Sequence, residues 1–486
     1  MIKIPELYNA LYKVTKGLID ILKRHGYCQN KLIEAVREKT YVLDEHGKWF
    51  VGEIRYKRLK PSIDCYDYVL SMSETEKLFN ILLSNGFISY PSFVDSKSNP
   101  AEKPSKQSVL SSGRSFGGVF TFIAQYLEQI PTLNFYPDIF DKLYSGFEHY
   151  HLSDTASFVA IIPLQNFSSD IDLVEFSDKE KIERLKRDEL ALLGARMPTI
   201  FMHEPTPKGL ETVEKIFASG FAIKIAFSLE KREAGIDKSV FRKARQIITA
   251  LCLTKPGKPF YNIMFSRTIG FNPVVGSLGS RYIEPLLPSE EKSHWYHWYQ
   301  WLALPSTSRS LPLSGEERHL HLSKEDCKIC KEVWQNLQSI SLHEDQDKLD
   351  IGFRKFNDLY NRKFLEDRII DMAILLESML LYGTDRELGY RLSLRGAHLL
   401  KSSRDPMQTF KFLKEFYDLR SKIVHGGKRL SSSVSVDDRQ FQPEEFVAEM
   451  ESICREILRA FVERAAEGVS IERVNKDLDR EALRGP

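Results

Sequence analysis

The sequence DPMQTFKFLKEFYDLRSKIVHGG, residues 405–427, has the pattern of one long amphipathic helix. Its apolar residues recur every three to four positions, which places them on one face. Asp405 and Pro406 are typical of a helix start, because an aspartate caps the first turn and a proline fits the first helical position. Gly426 and Gly427 predict the end of the helix.

The segments around this helix have similar spacing. Apolar residues also recur with helical period through residues 359–381, 388–400 and 443–461, and a polar loop at 431–438 precedes the last of these segments. Four helices joined by short connections predict a helical bundle over residues 345–470.

The first 310 residues contain both helix and strand patterns. A helix is predicted near the N-terminus, where Leu7, Leu11, Val14, Leu18 and Leu22 share a face. Strands are predicted at residues 49–56, 158–164, 171–176, 223–229 and 261–265, and helices at 178–193 and 237–253. The sequence therefore predicts an α+β fold: a mixed α/β region at 1–310, a connector at 311–344, the bundle at 345–470 and a tail at 471–486.

Composition limits the class of protein. The 486 residues include 69 Lys and Arg against 67 Asp and Glu, a net charge of +2, which excludes nucleic-acid binding by bulk charge alone. Six scattered cysteines do not form the pattern of a disulfide framework. Because the sequence has neither a secretory signal pattern nor an apolar run long enough to cross a membrane, we expect a cytoplasmic protein without membrane association.

Arg420 and His425 are the candidate catalytic residues near the end of the helix at 405–427. Five residues on an ideal helix separate two side chains by about 140°, so the pair would converge only if the helix ended or kinked between them. The two glycines predict such an end. A histidine at a helix C-terminus can transfer protons near neutral pH, and an arginine suits a phosphate. The alternative is a capping histidine and an arginine in a surface ion pair.

Three segments, at residues 371–380, 387–395 and 417–427, resemble in order and spacing the Apea-like branch of the HEPN superfamily. The resemblance implies a bundle of four to five helices that pairs into a homodimer. Many members are metal-independent ribonucleases of bacterial defence, toxin or RNA-processing systems, marked by Arg-x(4–6)-His. Residues 157–190 are similar to the N-terminal region that accompanies this branch.

The resemblance also implies roles for particular residues. Arg420 and His425 fall on the catalytic pair, and Ser421 occupies a position where many members have Asn, Asp or His. A serine can hydrogen-bond there but cannot replace a charged partner. Positive charge for the RNA backbone would come from Lys422, Lys428 and Arg429.

Asp371 and Glu377 fall on a helix that faces the Arg–His pair in the family. Either carboxylate could orient the imidazole or the guanidinium. The alternative is a structural carboxylate that pairs with Arg391 or Arg395 and holds the helices together.

The function implied is RNA endonuclease activity without a metal or cofactor, in a bacterial antiviral defence or toxin-type system. The 2′-hydroxyl would attack the adjacent phosphorus and leave a cyclic phosphate. The N-terminal region would sense a trigger, such as a phage-derived one, and the RNA could be tRNA or mRNA. Two alternatives stay open: a nucleotidyl-transferring HEPN protein, and a catalytically idle module for RNA binding or dimerisation.

A single CxxC motif, Cys327 and Cys330, lies in the connector. With His319, His321 or His343 it could assemble a zinc site. A second CxxC is missing, which favours two reduced cysteines on a helix instead.

Overall fold

The structure is a computed structural model of the 486-residue chain. It describes residues 3–44, 46, 48–59, 65–85, 117–153, 155–187, 189–190, 193–194, 205–230, 238–261, 264–268, 282–283, 298–301, 319–340, 345–359, 362, 364–384, 386–427, 430 and 433–484. The fold is mixed α/β, as predicted. Among these residues no helix combines the length and apolar composition that a membrane crossing requires.

The helices are α1 Pro5–Arg24, α2 Gln29–Leu32, α3 Cys65–Ser71, α4 Ser73–Ser84, α5 Gly117–Gln129, α6 Pro137–Leu152, α7 Pro207–Phe217, α8 Lys238–Thr254, α9 Lys324–Ser339, α10 Gln346–Asp358, α11 Leu365–Leu380, α12 Leu388–Leu399, α13 Pro406–Gly426, α14 Pro443–Ala466 and α15 Ile471–Arg484. The helix predicted near the N-terminus is confirmed as α1, since all five of its predicted core residues are buried. With α3 to α6 it encloses a core of its own.

The strands are β1 Ile33–Leu43, β2 Trp49–Leu59, β3 Thr155–Pro163, β4 Phe167–Ser169, β5 Leu173–Glu175, β6 Glu180–Arg184, β7 Phe221–Glu230, β8 Met264–Thr268, β9 Tyr282–Ile283, β10 Trp298–Trp301, β11 Leu320–Leu322, β12 Val434–Val436 and β13 Arg439–Phe441. The largest sheet has the order β10-β8-β3-β7-β6-β5 and is antiparallel throughout. In its centre Phe158 of β3 pairs with Phe227 of β7. The strands predicted in this region therefore belong mostly to one sheet.

Strand β6 corrects the first part of the helix predicted at 178–193, whereas residues 187, 189, 190 and 193 are helical. Glu180 and Ile182 are buried, whereas the residues between and after them are less so, which is the period of a strand. Its register on β7 sets Lys181 opposite Lys224, and Lys224 forms an ion pair with Glu183 at 3.1 Å. The charged residues that looked like the polar face of a helix instead form cross-strand ion pairs.

One hydrophobic core joins the large sheet, α8, α9 and the C-terminal helices. The segment 471–484, predicted as part of a tail, is helix α15, and its residues Ile471, Val474 and Leu478 are buried in this core. The loop predicted at 431–438 holds β12, which pairs with β13 in a hairpin. Helices α10 and α13 both pack on α11, so α11 forms one wall of the candidate site.

Candidate active site

Helix α13 carries both candidate catalytic residues and has the ends that the sequence predicts. The Asp405 side chain accepts a hydrogen bond from the Gln408 amide at 2.8 Å, and Pro406 occupies the first turn. Gly427 ends the helix in the left-handed conformation at φ 59°, which glycine adopts without strain.

The helix does not end between Arg420 and His425, and the prediction that it would is wrong. It continues through Gly426, so the two side chains lie about 140° apart around the axis and about 7.5 Å apart along it. The Arg420 side chain is half-buried towards α11, whereas His425 is exposed. Within one chain the pair does not converge on a single point.

Arg420 is held by a carboxylate and an aromatic ring. Its Nη2 lies 3.3 Å from Glu377 Oε1 on α11, and the same oxygen accepts a hydrogen bond from the Tyr417 hydroxyl at 3.0 Å. Tyr417 precedes Arg420 by three residues and so shares its helix face. Burial and the charge of Glu377 raise the pKa of Tyr417 to about 12, so its hydroxyl stays a donor at neutral pH. Glu377 therefore holds the guanidinium in an ion pair, which fits both the orienting role and the ion-pair alternative.

Close packing by α12 completes this arrangement. A Cβ on Gly389 would lie 2.9 Å from the Tyr417 ring, so glycine at this position permits the approach. The buried Nε of Arg420 has no hydrogen-bond partner among the described residues. The guanidinium is thus positioned by Glu377 and Tyr417 between α11 and α12.

Asp371 does not contact the Arg–His pair. It lies six residues before Glu377 on α11, about 120° away around the helix, and is buried against α10. Lys355 Nζ donates to it at 2.7 Å and Arg362 Nε at 2.5 Å. Burial opposes its ionisation, but these two charged donors prevail and lower the pKa of Asp371. The predicted role beside Arg420 or His425 is corrected to a structural ion-pair role.

Asp371→Asn is expected to cost about 3 kcal/mol of unfolding free energy at pH 7, near the low end for a broken buried pair because the Arg362 side chain is 40% exposed. Since the folded pKa lies below the unfolded value of about 3.9, the contribution is complete above that pH and is lost as the pH falls through the folded pKa. Urea unfolding at pH 7 and pH 3 should show the difference between wild type and variant shrink in acid. Asp367→Asn, at an exposed position of the same helix, is the control and should cost less than about 1 kcal/mol. A difference that grows in acid would contradict the assignment.

Arg391 and Arg395, the partners considered for Asp371 or Glu377, belong to another cluster. Arg395 Nη2 contacts Asp479 Oδ2 on α15 at 2.8 Å, and Arg391 lies 3.9 Å from the same carboxylate. They attach α15 to α12 and take no part in the candidate site.

The other predicted site residues follow Arg420 closely in the chain. Ser421 is half-buried, and Lys422 is exposed one turn before the helix end. Lys428 and Arg429 lie outside the described residues. Sequence reasoning missed Tyr417, whose signal was its spacing of three residues from Arg420 on a helix.

The CxxC motif lies on α9, so the predicted helix is confirmed, and both cysteines are buried and outside any disulfide. Burial raises the pKa of Cys330 to about 12 and also raises that of Cys327. His319 and His321 instead contact the Ser168 hydroxyl, at 2.7 and 2.9 Å. His343 lies outside the described residues, and within the described part of the chain no three His, Cys, Asp or Glu side chains are grouped as a metal site.

The candidate site thus consists of the half-buried Arg420, held by Glu377 and Tyr417, and the exposed His425 five residues later on the same helix. Such a pair supplies a fixed cation for an anionic substrate and an imidazole that reaches solvent. Comparison with family models, curated proteins and solved structures finds no match to this chain.

Proposed function

We propose that this chain is a metal-independent RNA endonuclease with Arg420 and His425 as its catalytic residues. The observation that carries the proposal is the guanidinium of Arg420, which Glu377 holds at 3.3 Å while the arginine side chain stays 22% exposed. A planar cation held in place in this way suits a phosphodiester better than a mobile surface arginine would. The resemblance of the C-terminal helices to the Apea-like HEPN branch points to the same chemistry.

The proposed reaction is transesterification within RNA. The 2′-oxygen loses its proton and bonds to the adjacent phosphorus, the bond from phosphorus to the 5′-oxygen breaks, and that oxygen receives a proton. His425, in the last turn of α13, transfers a proton. Arg420 stabilises the charge on the phosphoryl oxygens.

A second copy of the chain would resolve the divergence of the two side chains. Because Arg420 and His425 lie about 140° apart on one helix, a phosphate on Arg420 is reached more readily by a histidine from a partner. Val424, beside His425, is 47% exposed, an apolar side chain suited to a contact between chains. We therefore propose a homodimer through the C-terminal helices, which form an HEPN bundle in this proposal.

The biological setting that we propose is a cytoplasmic bacterial antiviral defence or toxin-type system. The N-terminal region would receive the trigger, for which a phage-derived molecule is our candidate. Lys422, exposed beside the catalytic pair, would contact the RNA backbone.

The test is cleavage of bulk tRNA and of an mRNA by the purified full chain with a chelator present. We expect fragments that end in a 2′,3′-cyclic phosphate, and no cleavage of a substrate whose 2′-hydroxyls are replaced by hydrogen. Cleavage of the substrate that lacks 2′-hydroxyls would contradict the mechanism. Loss of all RNA cleavage when the chelator is added would contradict it too. Transfer of a nucleotide to protein without RNA cleavage would favour the nucleotidyl-transferring alternative.

A further inference from the structure

A cavity of about 420 Å³ lies between α8, the end of α9 and α10, away from Arg420 and His425. This volume falls within the range of small-ligand sites. Its apolar wall includes Leu337, Ile340 and Leu349, which are almost fully buried, and the partly buried rings of Phe241 and Phe353. The wall is a continuation of the main hydrophobic core.

Three arginines also line this cavity. Arg242 and Arg245 are three residues apart on α8 and so share a helix face, and Arg354 projects from α10. No ion pair or hydrogen bond joins the guanidinium group of any of the three to another residue in the described part of the chain.

Other arginines near the core are paired. Arg395 contacts Asp479 at 2.8 Å, Arg455 contacts Glu451 at 2.6 Å, and Arg362 contacts Asp371 at 2.5 Å. Arg242, Arg245 and Arg354 are exposed instead, so their guanidinium groups are solvated and stay available to a ligand. Like charges at one site repel one another, and a bound anion would relieve that repulsion.

Asp350 is the carboxylate that lines this cavity. Partial burial and the nearby charge of Asp347 raise its pKa, against the opposing influence of the three arginines. One carboxylate cannot neutralise three guanidinium groups, so the cavity keeps a net positive charge.

We propose that this cavity binds a nucleotide, with its phosphates on Arg242, Arg245 and Arg354 and its base against Phe241 and Phe353. Guanidinium groups bind phosphate oxygens in pairs of hydrogen bonds, and aromatic rings stack on planar bases. An anion without a ring would leave the apolar wall uncovered, and a ring without phosphates would leave the arginines unpaired.

The experiment is calorimetric titration of the full chain with ATP, inorganic pyrophosphate and adenosine. We expect ATP to bind more tightly than pyrophosphate and adenosine not to bind. Arg242→Gln and Arg354→Gln should each weaken ATP binding about tenfold, because each removes a charged hydrogen bond. Asp350→Asn should tighten it about threefold, because a repulsive charge is lost.

Arg473→Gln is the matched control, since Arg473 lies on α15 and pairs only with Asp477 at 3.0 Å across an exposed helix face. It should leave ATP binding unchanged. Three outcomes would each overturn the proposal. The wild type could bind ATP no more tightly than pyrophosphate, it could fail to bind ATP, or the arginine variants could bind ATP as tightly as the wild type. If the wild type binds a short RNA but not ATP, and Arg354→Gln abolishes the RNA binding, these arginines would be assigned to RNA instead. Near-identical circular dichroism spectra would establish that each variant is folded.

Discussion

His425→Ala is expected to reduce RNA cleavage by about 10²–10⁴-fold, the usual contribution of a positioned proton-transfer group. The imidazole is exposed on the last turn of α13, so its removal takes away no packing. Folding and RNA binding should therefore persist while the chemical step fails. Single-turnover cleavage with excess protein measures that step directly, and gel-shift titration measures binding separately.

His149→Ala is the matched control, because His149 is also exposed in the last turn of a helix, α6. It should cleave RNA at the wild-type rate. Equal cleavage by His425→Ala and wild type would contradict the assignment of His425 and point to a contaminating nuclease. A parallel loss in both variants would indicate a general effect of histidine removal.

Mixing two inactive variants tests whether the site spans two chains. Arg420→Ala and His425→Ala, each inactive alone, would together restore roughly a quarter of wild-type activity, since half of randomly exchanged dimers are mixed and each has one complete site. If Arg420 and His425 act within one chain, every site in the mixture is incomplete and no activity returns. That outcome would contradict the proposed arrangement while leaving His425 catalytic.

Local sequence signals predicted the ends and faces of individual helices well. Asp405 with Pro406 and the glycines at 426 and 427 set the limits of α13, because capping is a property of a few neighbouring residues. The place of Glu377 on a helix facing Arg420 was implied only by the resemblance to the Apea-like HEPN branch, and the structure puts the two side chains 3.3 Å apart. Such features depend on short stretches whose chemistry is the same in any protein.

Features that depend on distant partners were not predictable in the same way. The charges of residues 180–184 suit a helix surface as well as a strand, and pairing with β7 decides between them. Asp371 could face either side of α11 until the positions of Lys355 and Arg362 were known. The arginine-lined cavity joins α8 to α10, about a hundred residues later in the chain, and no sequence motif marks it.

Glu451 on α14 provides the polar link inside the main core. Its carboxylate, 1% exposed, accepts from Arg455 Nη2 at 2.6 Å and from Arg368 Nη2 at 2.8 Å. Arg455 Nε donates to the Cys252 carbonyl at 2.8 Å, near the C-terminal end of α8, where helix carbonyls lack partners within the helix. Glu451 thereby holds the cation that connects α8 to the C-terminal helices.

Glu451→Gln is expected to lower the unfolding free energy by about 3–5 kcal/mol, because the buried guanidinium group of Arg455 and the half-buried one of Arg368 would lose a shared negative partner while the side chain keeps its size. Urea unfolding, followed by circular dichroism, measures the change. Glu449→Gln is the control on the same helix: its carboxylate is 41% exposed in an ion pair with Arg404, so its loss should cost at most about 1 kcal/mol. Similar small losses in both variants would mean that water reaches Arg455 and Arg368, and that the apolar contacts of the shared core hold α8 to the C-terminal helices.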